Sequence, residues 1–170
     1  MCELTDGVPE HAKSSTGRTI PVHPVFWEMS SGPEADLCLL KADGPTARPM
    51  VLADGMPATG AATHFVGWPQ GVYTVSDGTY RGNGWSDAPC DHGASGSAEF
   101  TSSGVFGVLT QGHKVGDEWQ GCNVTPVSEI KDFLKEAGVS WVSQPDPLPP
   151  ACGAFEIYDP LSRECYRPEG

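Results

Sequence analysis

The segment Cys90-Asp-His-Gly-Ala-Ser95-Gly-Ser97 places a serine among glycines, five residues after a cysteine, between two stretches rich in β-forming residues. Small neighbours let backbone N–H groups approach a substrate carbonyl closely, which is the setting a nucleophilic serine needs. A Gly/Ser turn joining two strands has the same composition. A serine hydroxyl also needs a base to be nucleophilic at neutral pH. The chain offers five histidines, His11, His23, His64, His92 and His113. His11 lies in a polar stretch. His64 lies on an expected strand and reads as a satisfied core or rim residue. His92 is close to Ser95 in sequence, in the same glycine-rich loop, and closeness along the chain does not place it on the face a base must occupy. His113 follows a strand and is expected to be exposed. Asp36 heads the apolar run Leu37-Cys38-Leu39-Leu40 and, read alone, is a strand-end cap.

These groups need elements to position them. The chain has 170 residues, 38% of them hydrophobic, with 21 Gly and 16 Pro. That balance favours short strands and many turns over a helical bundle. Val22 to Trp27 reads as a short strand broken by Pro24, and residues 1–20 read as loop. Ala35 to Lys41 has the length of a buried strand. Residues 43–60 carry the Gly, Pro and Asp punctuation of a connection. His64 to Trp68 and Gly71 to Val75 read as strands, residues 76–94 as a long loop, and Glu118 to Val124 as an extended piece. Ser97 to Thr101 and Val105 to Thr110 read as a hairpin. Pro126 to Ala137 is the one convincing helix: Val127, Ile130, Phe133, Leu134 and Ala137 share a face, Thr125 is the expected N-cap, and Gly138 ends it. Gln144 to Pro150 is a Pro-rich linker, and Cys152 to Cys165 a small tail that one local disulfide would staple.

Charge and cysteine usage exclude several roles. The net charge is −12 with ten Lys and Arg, so there is no basic stripe to displace counterions from nucleic acid, and an anionic membrane surface is disfavoured too. No stretch has the length of a membrane-spanning helix. Six cysteines without a CxxC pair do not read as a zinc site. Their even number points to an oxidising compartment, secreted or otherwise extracytoplasmic. The N-terminus lacks a basic segment and an apolar core, so the expectation is a processed or incomplete piece.

Three pieces fall in a telling order. Val22-His23-Pro24 precedes Asp36 and its apolar run. Then comes Cys90 with Gly93-Ala94-Ser95-Gly96-Ser97. Gly107-Val108-Leu109-Thr110-Gln111-Gly112 then leads to Gly121-Cys122 and the helix. Over residues 20 to 140 this resembles the trypsin-like (chymotrypsin-fold) serine peptidases, and among them the bacterial and V8-like branches, where a strand like Gly67-Trp68-Pro69 also occurs. The resemblance implies an all-β double barrel, here with an incomplete first barrel, a C-terminal helix and the stapled tail. It implies Ser95 as nucleophile, the N–H groups of Gly93 and Ser95 as oxyanion hole, and Asp36 as the acid that orients the catalytic imidazole. Thr110, Gln111 and Gly112 match the strand that pairs with substrate backbone. Cys90 and Cys122 match a disulfide tying the nucleophile loop to that strand. The specificity pocket falls at Asp87 or Ala88; the first would favour basic side chains and the second apolar ones. No metal or organic cofactor is implied.

Two departures matter. Ala94 stands before the nucleophile where trypsin carries an acid that pairs with a new N-terminus on zymogen cleavage, so that switch is excluded. The loop from Cys90 to Ser95 is also one residue longer than trypsin's. The family's catalytic histidine stands within Ala-His-Cys, and Met1-Cys2 occupies that place here. His23 matches a non-catalytic position. The resemblance therefore implies a histidine outside this chain, carried by a polypeptide or segment that completes the first barrel. A pseudoprotease acting as a binding or structural subunit is the alternative, and an unusual base the third. Substrate or partner is in either case a polypeptide. Cys38 reads as a free core cysteine, and Cys152 with Cys165 as the tail's disulfide. The expected organisation is residues 1–60 as partial first barrel and connection, 61–143 as second barrel and helix, and 144–170 as linker and tail.

Overall fold

A computed structural model describes residues 10–13, 18–29, 36–44, 49–116, 118–141, 157–159 and 164–166. Its core is a closed barrel of six antiparallel strands in the order β4-β5-β6-β9-β8-β7. These are β4 (Ala62–Gly67), β5 (Thr74–Gly82), β6 (Trp85–Ser86), β7 (Ala98–Thr101), β8 (Gly104–Val115) and β9 (Glu118–Pro126). Period-two alternation decides which side chains point inward. On β4, Thr63, Phe65 and Gly67 are buried while their neighbours face outward. Phe65, Phe106 and Leu109 fill the barrel with Tyr80, Ala88, Ala94, Cys122 and Val124. The Tyr80 and Phe106 rings meet edge to face at 5.7 Å.

The expected loop over residues 76–94 is corrected. Its first part is strand β5, and Trp85–Ser86 pair with both β5 and β9. The glycines are what allow this. A Cβ on Gly78 would lie 2.4 Å from the Ala88 nitrogen, and one on Gly121 would lie 1.8 Å from the Ser86 carbonyl oxygen. Close backbone approach, which a sequence reader sees as turn composition, is here strand packing. Gly71 to Val75 is corrected as well: Pro69–Gly71 forms a 3-10 turn, and the strand begins at Thr74.

The N-terminal segment supplies a second, three-stranded antiparallel sheet, β1 (Glu10–Lys13), β2 (Thr19–Met29) and β3 (Asp36–Ala42), in that order. The loop expected over residues 1–20 thus includes strand. Pro24 does not break β2. The pairing with β3 shifts register between Pro24 and Phe26, a bulge that absorbs the missing N–H. The connection is laced to the barrel: the Val105 N–H donates to the Val51 carbonyl and the Ala53 N–H to the Val105 carbonyl, both at 2.8 Å.

The helix α1 (Val127–Glu136) closes the seam between the two sheets. Val127, Ile130 and Phe133 are buried, Leu37 of β3 packs with Ile130 and Phe133, and the Phe26 and Phe133 rings lie 5.1 Å apart. Lys131 Nζ donates to the Ala53 carbonyl at 2.7 Å and ties the helix to the connection. Pro126, not Thr125, is the N-cap, with no side-chain cap, because the Thr125 and Pro126 backbones are still paired in β9. Gly138 takes φ +70° just past the helix end. In the tail, β10 (Ile157–Asp159) and β11 (Glu164–Tyr166) form a small hairpin.

Candidate active site

Two tight turns back to back present Ser95. In the first, the Ala94 N–H donates to the Asp91 carbonyl at 2.9 Å, and Gly93 takes φ +89°. In the second, the Ser97 N–H donates to the Ala94 carbonyl at 3.0 Å, with Gly96 at φ +85°. Both glycines occupy left-handed backbone that other residues adopt at a cost. The loop is then stitched to β8: the Gly96 N–H donates to the Leu109 carbonyl and the Leu109 N–H to the Ser97 carbonyl. Ala94 is buried, and Ser95 is thrust outward between the two turns. The disulfide between Cys90 and Cys122 joins the loop's start to β9, with the Cα atoms 6.2 Å apart.

Beside Ser95 lies a cavity of about 630 Å³, bounded by Cys90 to His92 and Ala94–Ser95 on one side and by Leu109 to Gly112 on the other. The Ser95 hydroxyl donates to the Thr110 carbonyl at 3.1 Å. Among the described residues, the N–H groups of Gly93 and Ser95 have no intramolecular acceptor. These two donors are thus unspent within the loop that carries the exposed hydroxyl.

The acids around the site are spent differently. The Asp91 carboxylate accepts Gln70 Nε2 at 3.0 Å and the His92 N–H at 2.6 Å, and these two donors, Gln70 first, hold its pKa below the usual carboxylate value. Asp87 turns to Arg81, accepting its guanidinium Nε at 2.8 Å, and to the Thr79 N–H at 2.6 Å. Burial raises the Asp87 pKa, and Arg81 with the Thr79 N–H more than offsets this, so the net direction is down. Ala88 is wholly buried in the barrel core. Neither Asp87 nor Ala88 lines the cavity. Inside the barrel, Glu99 is fully buried. Loss of solvent pushes its pKa up, tempered by the nearby Ser86 and Thr63 hydroxyls, and Asp87 adds to the rise. Those hydroxyls stand near without completing hydrogen-bond geometry, so all four side-chain oxygens are unpaired.

The structure thus brings Ser95, Gly93, Thr110, Gln111, Gly112, Cys90 and Cys122 to one place. Asp36 opposes Met29 at the start of β3, and its side chain lies outside what the structure describes, as does the expected Cys152–Cys165 pairing. Cys38 is corrected: it is disulfide-bonded rather than free. Of the histidines, only His92 borders the cavity among the described residues. His23 pairs with Asp43 at 2.5 Å and His64 with Asp77 at 2.6 Å, both half-exposed on the sheets. His113 is half-buried rather than exposed, stacked on Trp85 at 4.2 Å and bonded to Asn123 at 3.0 Å. Sequence reading missed Glu99, although alternation along β7 places it inward. It also missed Gln70, whose role needs a loop contact that no periodicity encodes.

No helix among the described residues is long and apolar enough to cross a membrane, and no group of metal-binding side chains is present among them. No family model and no curated protein matches the sequence. Among solved structures, the chain is similar to Rv3671c from M. tuberculosis H37Rv, crystallised as a serine-to-alanine mutant in its inactive form. The match has 19% sequence identity and a TM-score of 0.60, and spans 71% of this chain and 66% of that one, so just under two thirds of the solved chain is represented. With the closed six-stranded barrel, the C-terminal helix and the Cys90–Cys122 disulfide, this chain has the all-β chymotrypsin-like fold.

Proposed function

We propose that the chain is a trypsin-like serine endopeptidase domain whose catalytic base is a histidine not among the five of this chain. The observation that carries the reading is the exposed Ser95 hydroxyl beside the unspent N–H groups of Gly93 and Ser95, at the rim of a cavity whose other wall is Thr110 to Gly112. In this reading Ser95 Oγ attacks the scissile carbonyl and its proton passes to the base. The carbonyl oxygen becomes an oxyanion held by the two N–H groups. The amine leaves with the proton, and water then releases the acyl group. Asp36 orients the base, and the partner polypeptide or segment that carries it completes the first barrel. The Gly67-Trp68-Pro69 segment favours the bacterial and V8-like branches. The Cys90–Cys122 disulfide supports an extracytoplasmic setting.

One observation favours a second reading. Ser95 Oγ is bonded to a backbone carbonyl and to no imidazole among the described residues, as suits a pseudoprotease that uses the groove to bind a polypeptide. Labelling of natively isolated protein with a fluorophosphonate, mapped by mass spectrometry, separates the two. Modification at Ser95 that is lost in Ser95→Ala supports the peptidase. A folded, intact sample that stays unlabelled overturns it in favour of the binding subunit.

A further inference from the structure

We propose that Gln70 is a positioning residue that, through Asp91 and His92, holds the oxyanion-binding peptide in its working orientation. The inference rests on the reading of Ser95 as nucleophile. Three contacts carry it. The Gln70 backbone N–H donates to the His92 carbonyl at 2.8 Å. The Gln70 side chain donates from Nε2 to one oxygen of Asp91 at 3.0 Å, and the other oxygen of Asp91 accepts the His92 N–H at 2.6 Å.

The consequence follows from peptide geometry. In a trans peptide the C=O and the next N–H point in opposite directions. Holding the His92 carbonyl toward Gln70 therefore turns the Gly93 N–H away from Gln70, where it meets no acceptor among the described residues. Were the peptide to rotate, that N–H would face Gln70 and a carbonyl oxygen would face the reacting centre, repelling the charge to be stabilised. Gln70 itself sits at φ +52°, a left-handed conformation that a residue with a Cβ adopts at a cost, within a short turn after Trp68. The Trp68 carbonyl lies 3.1 Å from where a Cβ on Gly93 would stand, so the two loops are in direct contact. With Ala94 in place of an acid before the nucleophile, no ion pair from that position anchors the loop, and the Gln70–Asp91 clamp does so from outside.

The test is a charge swap. Gln70→Glu sets two carboxylates against each other and breaks the clamp. Gln70→Glu combined with Asp91→Asn restores it with the polarity reversed. The amide introduced at position 91 then donates to the carboxylate at position 70, and its oxygen still accepts the His92 N–H. The first readout is the NMR scalar coupling across the bond from the Gln70 nitrogen to the His92 carbonyl carbon, which needs no catalysis. The second is the rate of fluorophosphonate labelling at Ser95. The coupling should be present in the wild type, lost in Gln70→Glu and recovered in the double variant. Labelling should fall at least ~10-fold and recover in step, while every variant stays folded at the assay temperature. A coupling that survives in Gln70→Glu, or one that the double variant fails to restore, overturns the proposal. So does a labelling rate that ignores the coupling. If the wild type does not label at all, the nucleophile reading fails, and the coupling alone decides the clamp.

Discussion

The Ser95 hydroxyl is tied to the Thr110 carbonyl at 3.1 Å, on the strand that forms the cavity's opposite wall. The candidate nucleophile and the candidate substrate-pairing strand are therefore one unit, held in register by the Gly96–Leu109 and Leu109–Ser97 bonds. Because Ser95 is exposed, Ser95→Ala should change stability by less than about 1 kcal/mol, the net value of one exposed hydrogen bond, while abolishing fluorophosphonate labelling. Urea unfolding of both proteins checks the first half. A loss of several kcal/mol would show that Ser95 is a structural turn residue.

Glu99 makes the barrel sensitive to pH in an unusual direction. Its folded pKa is raised above the unfolded one, so its contribution to stability is present below the unfolded value and is lost as pH rises through the folded value. Glu99→Gln removes that titration and leaves an amide that can donate to one hydroxyl and accept from the other. The variant should match the wild type near pH 4 and exceed it by about 1–3 kcal/mol near pH 8. Urea midpoints across that range decide it. A variant less stable than the wild type at pH 8 would mean that the carboxylate has a partner.

Asp87 behaves oppositely. Its folded pKa is lowered, so its contribution is present above the unfolded value and is lost as pH falls through the folded one. Asp87→Asn should cost about 1 kcal/mol at pH 7, discounted for partial exposure, and nothing near pH 2. Thermal unfolding at the two pH values reads the difference. Because Arg81 already occupies this carboxylate, Asp87→Asn should also leave the preference of the cavity for basic or neutral peptides unchanged. A loss of preference for basic side chains would place Asp87 at the substrate after all.

Replacing Cys90 and Cys122 by Ala should cost about 3–4 kcal/mol, the chain entropy of a loop closed over 32 residues. The strands β7 and β8 lie inside that loop, and both ends border the cavity. Labelling at Ser95 should therefore fall by more than the unfolded fraction accounts for. Labelling that tracks the folded fraction alone would make the disulfide a staple without influence on the site.

The sequence determined the features that are local or periodic. The glycine–serine run around Ser95 marks a pair of turns because left-handed backbone needs Gly93 and Gly96. The 3.6-residue spacing of Val127, Ile130 and Phe133 marks the helix face that is buried. The ordered motifs around Asp36, Cys90, Ser95 and Gln111 carry the fold in the sequence itself. Tertiary structure alone decided the rest, because it depends on which segments touch. Whether residues 76–94 are loop or strand turned on Gly78 and Gly121 admitting the backbones of Ala88 and Ser86. Whether Asp87 faces a cavity or a salt bridge turned on Arg81, six residues away and on the same hairpin. Gln70 and Asp91 are 21 residues apart, and nothing in the spacing of either announces the other. The turn that bends the chain at Pro69 brings them together, and that contact sets the direction of the Gly93 N–H.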